Sequence, residues 1–184
     1  MRLAAPEIAG SGSILDAGCG NGWWLRALVE AGVAPERLHG IDIQPERVTG
    51  AREAVAEAAI AVGDARNLRF PDASFAVVLQ LTLLSSLGSH RAIRESLGEG
   101  MRVLAPGGLL LIYEPRVPNP LNRHTLLLKD SDLDAAGVTP RQELSLTVVP
   151  GLARRLGGRT QERYERLARL PFLRTHRLIS YRAA

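Results

Sequence analysis

Nine residues near the start, Ile14-Leu15-Asp16-Ala17-Gly18-Cys19-Gly20-Asn21-Gly22, constrain this chain more than any other stretch. An apolar run of strand character meets three alternating glycines, and a helical pattern follows. Glycine serves where a backbone must turn sharply or let a ligand come close, so Gly18, Gly20 and Gly22 point to a nucleotide-like ligand. Such a loop gains meaning from a strand before it, a helix after it and an acid about 20 residues further on. Ile14 and Leu15 open a buried strand. Trp24, Leu28 and Ala31 recur at helical spacing, with Gly32 as the stop. Leu38 to Ile43 reads as a second short strand, with Asp42 at its end.

The alternation continues. Pro45 suits a first helical turn, and Val48, Arg52, Val55 and Ala59 follow at helical spacing. Ala59 to Asp64 is a third strand ending in an acid, and Phe75 to Gln80 a fourth after the loop Phe70-Pro71-Asp72-Ala73-Ser74. Ile93, Leu97, Met101 and Leu104 mark a helix closed by Ala105-Pro106-Gly107-Gly108, before a fifth strand from Leu109 to Tyr113. Five strands alternating with helices predict an α/β fold: a mostly parallel sheet with helices on both faces and ligands at the carboxyl ends of the strands. Beyond Tyr113 the pattern loosens. Three prolines in Glu114 to Pro120 make an irregular connection. A short helix over Ser131 to Ala136, a strand over Glu143 to Val149, a helix from Thr160 with Glu162–Arg166 and Glu165–Arg169 pairs, and a last strand over Thr175 to Arg182 are expected.

At 184 residues and 46% hydrophobic content, one domain over residues 1–184 is expected. The longest apolar runs are strand length, short of the roughly 20 residues of a membrane span. No secretory leader pattern is evident, so the cytoplasm is the default location. Cys19 is the single cysteine. It excludes an intrachain disulfide and a multi-cysteine metal site, and reads as a small spacer between glycines. The net charge of +4 is uneven: nine arginines against Glu162 and Glu165 lie between Gly151 and Ala184. Because 22 arginines stand against Lys129 alone, coding bias explains this basic end as readily as an anionic partner.

Charge selects the ligand. A pyrophosphate on the loop brings negative charge near Asp16; at ~6 Å and an effective dielectric of ~20 each like-charge pair costs about 3 kcal/mol. S-adenosylmethionine brings an ammonium and a sulfonium instead, which the same carboxylate attracts. The spacing Gly18-x-Gly20-x-Gly22 also departs from the dinucleotide pattern G-x-G-x-x-G. Together with Asp42, Gly63-Asp64-Ala65, Phe70 to Phe75 and Val103 to Gly108, the glycine stretch resembles the class I S-adenosylmethionine-dependent methyltransferases, most closely the type 11 branch.

The resemblance is strong over residues 13–113 and weak beyond. It implies a Rossmann-like methyltransferase fold with a seven-stranded, mostly parallel sheet. Residues 13–113 would be the cofactor-binding half, and 114–184 the substrate side with the sixth and seventh strands. By the same resemblance, S-adenosylmethionine (product S-adenosylhomocysteine) is the cofactor, bound by Asp16, Gly18, Gly20, Asn21 and Gly22. Asp42 would take the ribose hydroxyls and Ile43 pack on adenine. Gly63, Asp64 and the Ala65 backbone would meet the adenine edge, and Gln80 line the methionine moiety. Each acid has a plainer use: Asp42 as a helix cap, Asp64 as a turn residue; Gln80 could be incidental.

Two departures bear on function. Ala76 replaces a frequent aspartate. Few residues precede the first strand, so this shortened N-terminus leaves closure to residues 114–130, the basic C-terminal part, a homo-oligomer or partner subunit, or a missing segment. Methyl transfer needs alignment and desolvation more than a base. For a hydroxyl acceptor His124 and His90 are the candidates near the ligand side. Tyr113, Glu114 and Arg116 could orient a substrate. No metal site is expected, and the lack of an Asn/Asp-Pro-Pro-aromatic motif after the fourth strand, where Gln80-Leu81-Thr82-Leu83 stands, argues against nucleic-acid bases as acceptors. The leading expectation is therefore a methyltransferase acting on a small-molecule, glycan or lipid-linked acceptor, at oxygen. The alternatives are a non-catalytic partner subunit of the same fold and an RNA or protein methyltransferase.

Overall fold

The computed structural model describes residues 8–118, 125–140, 142–148 and 174–184. Short aliphatic runs bounded by turns form β1 (Ile14–Ala17), β2 (Leu38–Asp42), β3 (Ala59–Val62), β4 (Phe75–Leu81) and β5 (Leu104–Pro115). Between them lie α1 (Trp23–Glu30), α2 (Pro45–Ala54) and α3 (His90–Val103). Then come α4 (Asp130–Ala135), β6 (Gln142–Val148) and β7 (Arg174–Arg182). The strands make one seven-stranded sheet in the order β3-β2-β1-β4-β5-β7-β6. Pairing is parallel from β3 across to β5, and β7 runs antiparallel to both β5 and β6. The sheet is thus mostly parallel, as the sequence pattern implies, with β7 the reversed strand.

Side chains alternate across a strand, so a sheet buried on both sides needs two cores. Both are present. On one face Leu15, Val78, Leu110 and Ile112 meet Ile93 and Leu97 of α3 and Leu133 of α4. On the other, Ile14, Val77, Leu79 and Leu109 meet Leu25 and Leu28 of α1 and Val48 and Ala51 of α2. Helices cover the faces and leave the carboxyl ends of β1 to β4 open to a ligand. No helix among the described residues is long and apolar enough to cross a membrane.

Two local expectations change. Helical spacing put Trp24 in the core, but Leu25 and Leu28 are the buried positions of α1; Trp23 is 59% exposed and meets the Trp24 ring edge to face. The segment Ala105 to Gly108, expected as a loop, belongs to β5. Phe75 pairs with Leu104 and Val77 with Leu109, so the proline–glycine step swells out of register while its flanks stay paired. The helix expected from Thr160 and its two ion pairs lie outside the described residues.

The loop between β3 and β4, one wall of the cleft described below, is tied to α3 by Arg102. Its guanidinium donates to Glu99, to Asp72 at 2.7 Å, and to the carbonyls of Leu68 and Phe70 at 2.8 and 2.9 Å, while Glu99 accepts from the Leu68 amide. Arg102→Ala strips several charge-assisted bonds at once, each worth about 1.5 kcal/mol or more. We expect urea unfolding to show a loss of about 2–3 kcal/mol; a midpoint unchanged from wild type would refute this role.

Candidate functional site

At the carboxyl end of β1 the chain turns through three left-handed glycines: φ is +81° at Gly18, +53° at Gly20 and +77° at Gly22. The Gly18 and Cys19 amides both donate to the Ile41 carbonyl at 2.8 Å, locking the start of the loop onto β2. Asp42 fixes its middle: one carboxylate oxygen accepts from the Gly20 amide and the other from the Gln44 amide, both at 3.0 Å. Asp42 therefore holds the residue that leads into α2 and clamps the glycine loop at once. Its remaining lone pairs face the same cleft, since an ionised carboxylate has about four acceptor sites.

Beneath the loop lies Asp16, 1% exposed. Its Oδ2 has no hydrogen-bond partner among the described residues. Burial, with the Asp42 charge adding to it, pushes the Asp16 carboxyl up to about 7. The Cys19 thiol is pushed up to about 12 by burial and by the same two acids, so it remains a neutral spacer.

A cleft of about 290 Å³ opens beside the loop. Gly18, Asp42, Ile43, Gly63, Asp64 and Ala65 all line it, joining the ends of three neighbouring strands as expected. Ile43 is 61% exposed, an apolar side chain turned into open space rather than into the core. The Gly63 amide donates to the Asp42 carbonyl at 3.0 Å. Asp64 is held differently from the expectation. Its two oxygens accept from three N–H groups of Arg66, the amide, Nε (shared between both oxygens) and a terminal guanidinium nitrogen, at 2.6 to 3.0 Å. The guanidinium beside it holds the Asp64 carboxyl below the usual carboxylate range.

Other candidates lie elsewhere. Asn21 is exposed and sits over Gly50 of α2, outside the cleft lining. Gly22 is the N-cap of α1 and abuts Ala51, so closeness of two helices demands it. Gln80 is fully buried: its amide donates to the Ser96 carbonyl at 2.8 Å within the α3 interface, its Oε1 has no partner among the described residues, and it is not part of the cleft lining. His90 is also absent from that lining. Its Nδ1 lies 2.7 Å from Asp132, which also takes Arg94 and the Lys129 amide, so His90 joins α3 to α4. Burial of Asp132 opposes its charge, but these partners hold its carboxyl below the usual range. His124 lies outside the described residues.

The end of β5 is also committed. Glu114 is fully buried, accepts from the Leu84 and Ser85 amides at 2.7 and 3.2 Å, and is pushed up to about 7 by burial. It anchors the short turn Leu84–Ser86, whose neighbours Thr82, Leu83, Ser86 and Leu87 form the far wall of the cleft. Arg116 donates to Ser145, and Tyr113 stacks on His176 with centroids 4.8 Å apart. Sequence reasoning missed this far wall, together with Arg47 and Arg66 on the near side. Arg47 and Arg66 each stand close after a cleft acid, a signal available in the sequence; the +57° φ of Thr82 that turns the far wall inward had none. Among the described residues no group of three or more metal-ligating side chains gathers.

Residues 14–108 match the family described as a methyltransferase domain. The chain is 35% identical over 105 residues to a 2-methyl-6-phytyl-1,4-hydroquinone methyltransferase of Synechocystis, covering 55% of this chain and 31% of that protein. It is 31% identical over 117 residues to a malonyl-[acyl-carrier protein] O-methyltransferase of Serratia marcescens, covering 60% of this chain and 44% of that protein. The chain thus spans less than half the length of either relative. A crystal structure of a SAM-dependent methyltransferase from Methanosarcina mazei shares the fold, with a TM-score of 0.72, 18% identity and coverage of 100% of this chain and 97% of that one.

Proposed function

The chain belongs to the methyltransferase domain family, and from that premise we propose that it transfers a methyl group from S-adenosylmethionine to an oxygen of a small-molecule, glycan or lipid-linked acceptor. The observation that carries the cofactor half of this reading is the unpartnered Oδ2 of Asp16 beneath the glycine loop. A buried carboxylate oxygen without a donor costs free energy that a cationic ligand offsets and a pyrophosphate increases. Two further features suit the same group: a Cβ on Gly20 meets nothing within 4 Å, leaving the backbone open to approach, and Ile43 offers an apolar surface in the cleft.

When bound, the sulfonium supplies a methyl group activated for in-line displacement. The chain's own part is positional. Asp16 balances the cationic amino-acid end, Asp42 takes the ribose hydroxyls on its free lone pairs, and Ile43 and the Ala65 backbone receive the adenine. Asp64, already oriented by Arg66, stands at the adenine end of the cleft. Methyl transfer is served by alignment and exclusion of water, and His124, the candidate base for a hydroxyl acceptor, lies outside the described residues. The oxygen acceptor draws support from the malonyl O-methyltransferase named above; the hydroquinone relative supports a small organic acceptor without naming the atom.

Thermal unfolding with S-adenosylmethionine, S-adenosylhomocysteine or NAD tests the cofactor. Both sulfur nucleosides should raise the midpoint and NAD should not; ligand at 100 times Kd stabilises by about 2.7 kcal/mol. Stabilisation by NAD alone would overturn the reading. Incubation with acceptor mixtures should then release S-adenosylhomocysteine.

A further inference from the structure

Asp16 lies buried under the glycine loop, next to the cleft but not among the residues that line it, and its Oδ2 has no hydrogen-bond partner among the described residues. On its own strand face it is flanked by the β2 acid Asp42, diagonal to it across the β1–β2 pairing that sets Asp16 against Gly40. The loop above contributes the Cys19 thiol, and β4 contributes Leu79, paired with Asp16. The charged groups of the two helices on this face are used elsewhere or exposed. Arg26 pairs with Glu30 at 3.5 Å, and Arg52 donates to the Ile60 carbonyl at 2.9 Å. Arg47, Glu46 and Glu53 are exposed, with Arg47 in the cleft wall. No cation among the described residues bonds Asp16, while Asp42 already accepts one amide on each oxygen, from Gly20 and Gln44.

Resting on the cofactor reading above, we infer that Asp16 retains a proton in the ligand-free protein, and that seating the ammonium-bearing nucleoside expels it, so that cofactor binding is coupled to proton release. The geometry alone argues this: two carboxylates share one buried corner, one of them has donors, and the other has an oxygen with none. Adding a cation at that oxygen reverses the balance and makes the ionised form the stable one. The raised affinity of Asp16 for its proton, about 7 against an ordinary 3.8, places the exchange near neutrality. Binding would then strengthen as pH rises to about 7 and level off above it. The site takes up its proton again as the product leaves.

Calorimetric titration of S-adenosylhomocysteine in buffers of different ionisation heat reads the proton count directly. At pH 7 about half a proton should leave per ligand bound, falling toward none at pH 9, and affinity at pH 6 should be about tenfold weaker than at pH 8. Asp16→Asn should abolish the proton release and flatten the pH dependence. Binding without proton exchange, or release that persists in Asp16→Asn, overturns the inference while leaving the cofactor reading in place. Failure of wild type to bind either nucleoside overturns both.

Should Asp16→Asn not bind, denaturant unfolding of the two free proteins still decides. With the folded value raised, the native state holds the extra proton between about pH 4 and 7, so wild-type stability must fall relative to Asp16→Asn as pH rises through that window, by up to about tenfold in the folding equilibrium per pH unit. A constant difference between the two proteins across pH 4 to 8 overturns the inference.

Discussion

Asp42→Ala is expected to weaken S-adenosylhomocysteine binding at least tenfold in a calorimetric titration. Two contributions combine. The ribose hydroxyls lose an ionised acceptor, at roughly 1.5 to 3 kcal/mol per charge-assisted bond, and one such bond already exceeds the 1.4 kcal/mol of a tenfold change. The Gly20 amide also loses its clamp, so the loop that meets the ligand is no longer held at 3.0 Å from a fixed acceptor. Asp42→Asn separates these contributions poorly by design. Its amide group must turn a donor toward either the Gly20 or the Gln44 amide, so it too should bind weakly. An affinity equal to wild type in Asp42→Ala would show that the end of β2 does not meet the ligand.

The glycines divide into two kinds, and the second large effect follows from that. A Cβ on Gly22 would stand 3.0 Å from the Ala51 Cα and 3.3 Å from its carbonyl oxygen, at a φ of +77°. Backbone atoms cannot swing aside, so α1 and α2 must separate. The left-handed conformation adds about 1–2 kcal/mol and the overpacking about 1–3 kcal/mol. Gly22→Ala should therefore lower stability by roughly 2–5 kcal/mol, which at 2–4 °C per kcal/mol is a fall of about 5 to 20 °C in Tm. Gly20 has the same handedness but open space around it. Gly20→Ala should lower stability by only about 1–2 kcal/mol and instead reduce cofactor affinity, because its methyl enters the space the ligand needs. Equal losses of Tm in the two variants would refute the distinction; an unchanged affinity in Gly20→Ala would place the ligand elsewhere.

Glycine alternation, the strand before it and the helix after it are local signals, and the strand and helix order up to Tyr113 could be read from them. So could the positions of Asp42, Ile43 and Gly63 to Ala65, because in a parallel sheet every strand ends on the same side and the residues after it collect there. Which use each side chain makes of that position was not local. Gln80 stands at the end of β4 as expected, yet its alternation points it at Ser96, 16 residues further along the chain. His90 looked free at the start of α3 until α4 supplied Asp132 from 42 residues away. Even the short-range pair Asp64 and Arg66 depends on a turn that folds the guanidinium back onto the carboxylate.

The sequence by itself determined the alternating architecture, the glycine loop and the acids at the strand ends, since periodicity and turn chemistry act between near neighbours. Only the tertiary structure decided which donors each acid meets: Asp64 is paired with Arg66, Asp42 is divided between loop and helix entry, and Asp16 is left buried with an unpartnered oxygen. The reason is physical. The state of a carboxyl group is set by the water it has lost and the donors it has gained, and both come from strands and helices that meet only when the sheet assembles.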